Sequence, residues 1–312
     1  MSRSLRHPEE RSDEGSLCAE STRKVPSALR RPSALALLGI TLLVACGGGR
    51  SITAPQPTQG YLGFDIGLFP GTAALQAWKY PASPYRWIGY YLPAPCHRDS
   101  SFVGKLPTIT AGGWGTAALY VGQQDWANIG ASRAPKPTAE VTPPVVPPRD
   151  TIASAAAAPQ PVCSASLLTT AHGTSEAADA VAKMRNEGFA DGSIVFLDVE
   201  GVASIGQPLL DYYRAWMTGV LNDGHYKPGA YLSKANAPTF HELAITSAAG
   251  APYSPPLWIA AQGDLTMTSR PTDVGLPYAQ IWQAMFEVTQ QFNGASLQVD
   301  ANVASKVSPS SP

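Results

Sequence analysis

Apolar residues in this chain recur in short blocks, each bounded by Gly, Pro or polar residues. YLGFDIG (61–67), RWIGYYL (86–92), TAALYVGQQ (116–124), IVFLDVE (194–200), KPGAYLS (227–233), PLWIAAQ (256–262), YAQIWQA (278–284) and ASLQVDAN (295–302) read as eight strands. Between them the period lengthens. TAALQAWKY (72–80) predicts a helix. SEAADAVAKMRNEGF (175–189) predicts another, with Ala177, Ala178, Val181, Met184 and Phe189 at helical spacing and Thr174 or Ser175 as its cap. PLLDYYRAWMTGVLNDG (208–224) is amphipathic and closed by Gly224, and SKANAPTFHELAI (233–245) holds a short helix. Strands alternating with helices predict an α/β chain, a (β/α)8 TIM-type barrel over residues 60–305 with some crossovers short. The alternative is an open doubly wound sheet, which wants a Gly-rich phosphate loop after its first strand. FDIGLFPG is not G-x-G-x-x-G, and no cofactor is expected.

Four stretches stand outside this pattern. Residues 1–29 are polar and irregular, then Arg30 and Arg31 precede the apolar run SALALLGITLLVA (33–45) and Cys46 with its following glycines. A basic flank, a short apolar segment and small residues make a secretory signal too short to span a bilayer, so residues 1–45 are expected to be a leader and signal peptide. Leu43-Val44-Ala45-Cys46 resembles the bacterial lipobox, which implies lipidation of Cys46 and a membrane-anchored, exported lipoprotein. Gly47 in place of an Asp points to the outer membrane where a cell has one. Residues 46–59 then form a polar tether and 306–312 a tail. The fourth stretch, 131–162, is half Pro and Ala, too poor in large apolar residues to build a core, and is expected to be a surface insertion beside the ends of the strands.

Export changes the meaning of the cysteines. With Cys18 in the leader and Cys46 lipidated, Cys96 and Cys163 remain in a compartment where disulfides persist, and a bridge between them is predicted. No C-x-x-C, Cys/His cluster or H-E-x-x-H appears, so no metal site is expected. A formal net charge of −1 with 14% charged residues gives no basic footprint for nucleic acid.

The chemistry sits in acids that end apolar runs. IVFLDVE passes from four apolar residues to Asp198 and Glu200, whose side chains on a strand share one side about 7 Å apart. Asp65 ends the first strand and Asp300 the eighth. In a closed barrel the strand ends surround one mouth, so four carboxylates from three strands are expected to converge there. Such a group suits glycosidic bond cleavage, in which one carboxyl donates a proton to the leaving oxygen and another carboxylate assists. Crowded like charges keep one member protonated.

GFDIG, FLDVE, GAYLS, PLWIAAQ, AQIWQ and VDANV, taken in order along the strands, resemble family 25 glycoside hydrolases, the lysozyme-like muramidases that cut peptidoglycan. The similarity is closer to the related glycoside-hydrolase-like family catalogued as domain of unknown function 1906, and covers about residues 60–303. It implies Glu200 as proton donor, Asp198 orienting substrate or stabilising positive charge, and Asp65 and Asp300 shaping the pocket. Tyr91, Tyr231, Trp258, Gln262, Trp282 and Gln283 are candidate sugar contacts. The expected partner is cell-wall glycan; the alternative is a barrel of the same fold that binds glycan without cleaving it. His97, His172, His225 and His241 lack a Ser or Cys nucleophile beside them and make no triad.

Overall fold

The computed structural model describes residues 59–125, 163–199 and 205–312. Contacts along the chain separate Met1–Thr53 from Ala54–Pro312, and every described residue belongs to the second unit. Its elements run β1 (Tyr61–Asp65), α1 (Thr72–Ala77), β2 (Trp87–Leu92), α2 (Leu106–Ala111), β3 (Gly115–Tyr120), α3 (Thr170–Glu187), β4 (Ile194–Val199), α4 (Gln207–Asp223), β5 (Lys227–Ser233), α5 (Ala237–His241), β6 (Ile245–Thr246), β7 (Pro252–Tyr253), β8 (Leu257–Ala260), β9 (Ala279–Phe292) and β10 (Ala295–Ala304). Eight strands close a barrel in the order β1-β10-β9-β8-β5-β4-β3-β2, while β6 and β7 form a separate small hairpin.

The strands are apolar because both faces are covered. In β4, Val195, Leu197 and Val199 pack outward with Tyr212, Tyr213, Trp216 and Met217 of α4 in the larger core. Phe196 points inward, where it joins Trp87, Leu119, Tyr231, Trp258 and Ile281 in a second core that fills the barrel. Trp258 sits at the centre of this filling, edge-on to Trp87, Phe196 and Tyr231. Glycines make room for these rings: a Cβ on Gly63 would lie 2.1 Å from the Trp87 ring, and one on Gly229 would lie 2.6 Å from Phe196.

The ring is mixed, where an all-parallel one is expected from strands alternating with helices. β10 runs antiparallel to both β1 and β9. The reason lies in Asn293 and Gly294, both at positive φ (47° and 83°), which join β9 to β10 in a two-residue turn. Asn-Gly is the strongest short hairpin signal, and so short a link permits only antiparallel pairing. β9 accordingly continues to Phe292, well beyond the predicted strand 278–284.

Two other boundaries move. α3 begins at Thr170, capped by Thr169, whose side chain accepts from the His172 N–H, so the predicted cap at Thr174 or Ser175 is inside the helix. The extra turn contains Gly173, a poor helix former in isolation, at a point where a Cβ would come 2.4 Å from the Tyr212 carbonyl of α4. Helix α2 and the β6–β7 hairpin have no counterpart in the sequence-based expectation.

The C-terminal residues close the end of the barrel at which β1–β5 begin, here called the floor. Ser310 donates its N–H to the Thr116 carbonyl and accepts from the Ile194 N–H, which bridges the starts of β3 and β4. Its hydroxyl oxygen accepts from the Ala118 N–H. Among the described residues no helix is long and apolar enough to cross a membrane.

Candidate functional site

The opposite end, the mouth, is lined by polar residues pointing inward. Asp65 is the last residue of β1, and it pairs in register with Asp300 on β10. Directly opposed residues of an antiparallel pair face the same side. Asp300 therefore reaches the mouth partway along a strand that then continues toward the floor, and not as the end of a parallel one. Asp198 follows inward-facing Phe196 on β4, two residues on, and is buried.

Asp65 is held from two sides. Tyr91 of β2 donates its hydroxyl to Asp65 Oδ2 at 2.9 Å, and Asn302 of β10 donates Nδ2 to Oδ1 at 2.7 Å. Asn302 is fully buried and is fixed in turn, because its Oδ1 accepts from the Trp258 indole N–H at 2.8 Å. Gln283 Nε2 donates to Asp300 Oδ2, and the Glu287 backbone N–H donates to Oδ1 at 2.6 Å. An ionised carboxylate is acceptor-only, so donors on both oxygens suit the charged form of each acid.

Tyr91 joins the three-strand group electrostatically. Burial, then the neighbouring carboxylates of Asp65 and Asp198, and Tyr231 as well, push its phenol well above the usual range. Tyr91 thus stays a hydrogen-bond donor at any ordinary pH. Gly89 gives Asp65 its place, since a Cβ there would come 2.6 Å from the Asp65 Cβ.

The loop after β3 supports the rim. Gln124 donates Nε2 to the Asp198 carbonyl at 2.9 Å. Gln123 donates Nε2 to Glu176 Oε1 at 2.7 Å and accepts from the Ser164 N–H at 2.8 Å. Tyr212 of α4 also donates to Glu176, so β3, α3 and α4 meet at one buried carboxyl. Cys163, one residue before Ser164, forms the predicted disulfide with Cys96. The Cys96 N–H donates to the Val121 carbonyl beyond β3, so the bridge ties neighbouring loops at the mouth.

The sequence matches, over residues 76–304, the family described as Rv2525c-like, glycoside hydrolase-like domain. The chain belongs to that family. No curated protein matches the Rv2525c-like chain. Among solved structures it is similar to an uncharacterized B. stearothermophilus protein at 15% identity and TM-score 0.46, covering 78% of this chain and 96% of that one. The Clostridium perfringens spore cortex lytic enzyme SleM is 12% identical at TM-score 0.47, with 78% and 67% covered. The Tat-secreted protein Rv2525c of Mycobacterium tuberculosis, in complex with L-tartrate, is 12% identical at TM-score 0.44, with 78% and 94% covered.

Within this Rv2525c-like barrel, Asp65, Asp198, Asp300, Tyr91, Tyr231 and Gln283 lie together around the inside of the mouth. Glu200 lies outside the described residues, as do Cys46 and the 131–162 insertion. Two candidate sugar contacts are placed elsewhere. Trp258 is wholly buried in the barrel filling, below Asn302. Trp282 is out of phase with inward-facing Ile281, packs in the outer core, and donates to the Ala261 carbonyl at 2.8 Å. Gln262 is exposed in the loop after β8. Sequence reasoning passed over Asn302, Gln123 and Gln124. The signal was there for Asn302, two residues from Asp300 and so on the same face of its strand.

Proposed function

We propose that this protein is an exported, lipid-anchored glycoside hydrolase that cleaves a cell-wall glycan, most specifically peptidoglycan. The family is glycoside-hydrolase-like, and the observation that carries the reading is the gathering of Asp65, Asp198 and Asp300 at one mouth. Division of labour among the acids follows from their partners. Asp65 and Asp300 have hydrogen-bond donors on both oxygens, which suits fixed negative charge facing a sugar that becomes positive in the transition state. That supports Glu200 as proton donor, with Asp198 two residues earlier as the carboxylate that orients the sugar and stabilises its charge. Tyr91, Tyr231 and Gln262 are the side chains proposed to meet the glycan, while Gln283, fully buried, holds Asp300 in place.

The test is release of reducing ends from purified peptidoglycan by the mature protein. Glu200→Gln keeps the shape and removes the proton, and the rate should fall on the order of 10²–10⁴-fold. Equal release by the variant would refute the assignment. Wild-type protein that sediments with glycan yet releases nothing would make the barrel a glycan-binding module. Mass spectrometry of Cys46 tests the anchor directly.

A further inference from the structure

The floor of the barrel carries surface that the proposed chemistry leaves unexplained. Among the described residues six large apolar side chains are exposed, and Leu68 and Val103 lie in the loops after β1 and β2, on the mouth side. The other four gather at or beside the floor: Tyr61 (36% exposed), Tyr80 (45%), Met267 (53%) and Val307 (44%). They are linked through the backbone. Tyr61 begins β1, and the Arg86 N–H donates to the Leu62 carbonyl beside it. The Arg86 guanidinium lies 3.1 Å over the Tyr80 ring. The Gly115 N–H donates to the Arg86 carbonyl, and a Cβ on Gly115 would come 1.9 Å from the Val307 carbonyl oxygen. Gln59, where the described chain enters, donates to the Met267 carbonyl.

Basic side chains border this patch, and Lys306 Nζ donates to the Ser311 and Pro312 oxygens at 3.1 and 3.2 Å. Lys79 and Arg86 flank Tyr80, and Lys306 adjoins Val307. Asp273, in the loop with Met267, is paired with Arg270. The other acids of this end, Asp191 and Asp223, lie under β4 and β5, paired with His225 and Arg185. Amphipathic tyrosines, single protruding apolar side chains and bordering basic residues are the composition of a surface that sits at a lipid–water interface.

The route of the chain says what covers it. From Cys46 to Gln59 is a path of thirteen residues, at most about 45 Å when extended, and it meets the barrel at this end. We propose that the floor, around Tyr61, Tyr80, Met267 and Val307, rests on the surface of an anionic phospholipid bilayer, with the mouth turned away from it. The inference takes from the proposed lipid anchor only the means by which the face is brought to the bilayer. A short tether keeps a weak contact at high local concentration, so a small patch suffices.

The experiment uses the full chain expressed in bacteria and reconstituted into phosphatidylethanolamine–phosphatidylglycerol vesicles containing doxyl-labelled lipid. An environment-sensitive fluorophore is placed at the floor by Met267→Cys, or at the mouth by Leu68→Cys, each with Cys18→Ser. Quenching at 267 should exceed that at 68 by at least twofold, and should weaken in high salt. An acylated protein that floats with the vesicles but shows equal or reversed quenching overturns the docking face and leaves the anchor intact. Vesicle binding with 267 still quenched in a Cys46→Ser background, which can be neither acylated nor labelled at that position, supports the face without the anchor. Neither acylation nor binding overturns both.

Discussion

Asn302 carries more of the site than any acid beside it. Its amide donates to Asp65 and its carbonyl accepts from buried Trp258, so it joins the barrel filling to the mouth. Asn302→Ala leaves a buried indole N–H without its acceptor and Asp65 without a donor. Urea denaturation should show a loss of about 1–3 kcal/mol, and glycan cleavage should fall with it. Glu176 offers a pH-dependent test at the same scale. Burial raises its carboxyl above the ordinary 4.5, against the pull of hydrogen bonds from Tyr212 and Gln123. The folded state therefore holds this proton more tightly than the unfolded chain. Its stabilising contribution is complete below pH 4.5 and is lost as pH rises through the raised value. Wild-type stability measured against Glu176→Gln should decline over that window and then level off. The single acids were legible because an apolar run ending in Asp is unusual. Asn302 could be found only through Asp300, two residues away on the same face, since a neutral amide in a strand has no such contrast of its own.

At the level of elements, register determines what the mouth contains. β1 and β2 pair Gly63 with Trp87 and Phe64 with Ile88, which sets Gly89 beside Asp65. Gly89→Ala would force a methyl to within 2.6 Å of the Asp65 Cβ and 3.3 Å of the Leu119 side chain. Overpacking of this kind costs about 1–3 kcal/mol. The variant should unfold at lower denaturant and lose cleavage more than glycan binding, as checked by equilibrium unfolding and sedimentation. All eight barrel strands were readable as apolar blocks, because each is covered on two faces. The direction of β10 was misread, although Asn293-Gly294 states it plainly. The alternation in AQIWQ likewise separates Trp282 from Ile281 and Gln283, and period two alone puts that indole on the outside.

For the molecule as a whole, the bridge joins Cys96 to Cys163 across a sequence separation of 67, a loop that includes the Pro/Ala-rich insertion. In the chain-entropy account such a closure contributes about 4 kcal/mol. Cys96→Ser with Cys163→Ser should lower the stability seen in urea by that order, and the reduced wild type should behave alike. The pairing was legible because the expected leader and lipidation site account for Cys18 and Cys46 and leave two cysteines for the folded part. Another long-range connection follows from β10. All five residues of β1 are zipped to it, Tyr61 with Ala304 through Asp65 with Asp300. The opening segment of the domain thus waits for nearly the last to be synthesised before it can find its neighbour. A nascent chain stalled short of residue 295 holds an unclosed sheet, and the cylinder can seal only once the last strand is present.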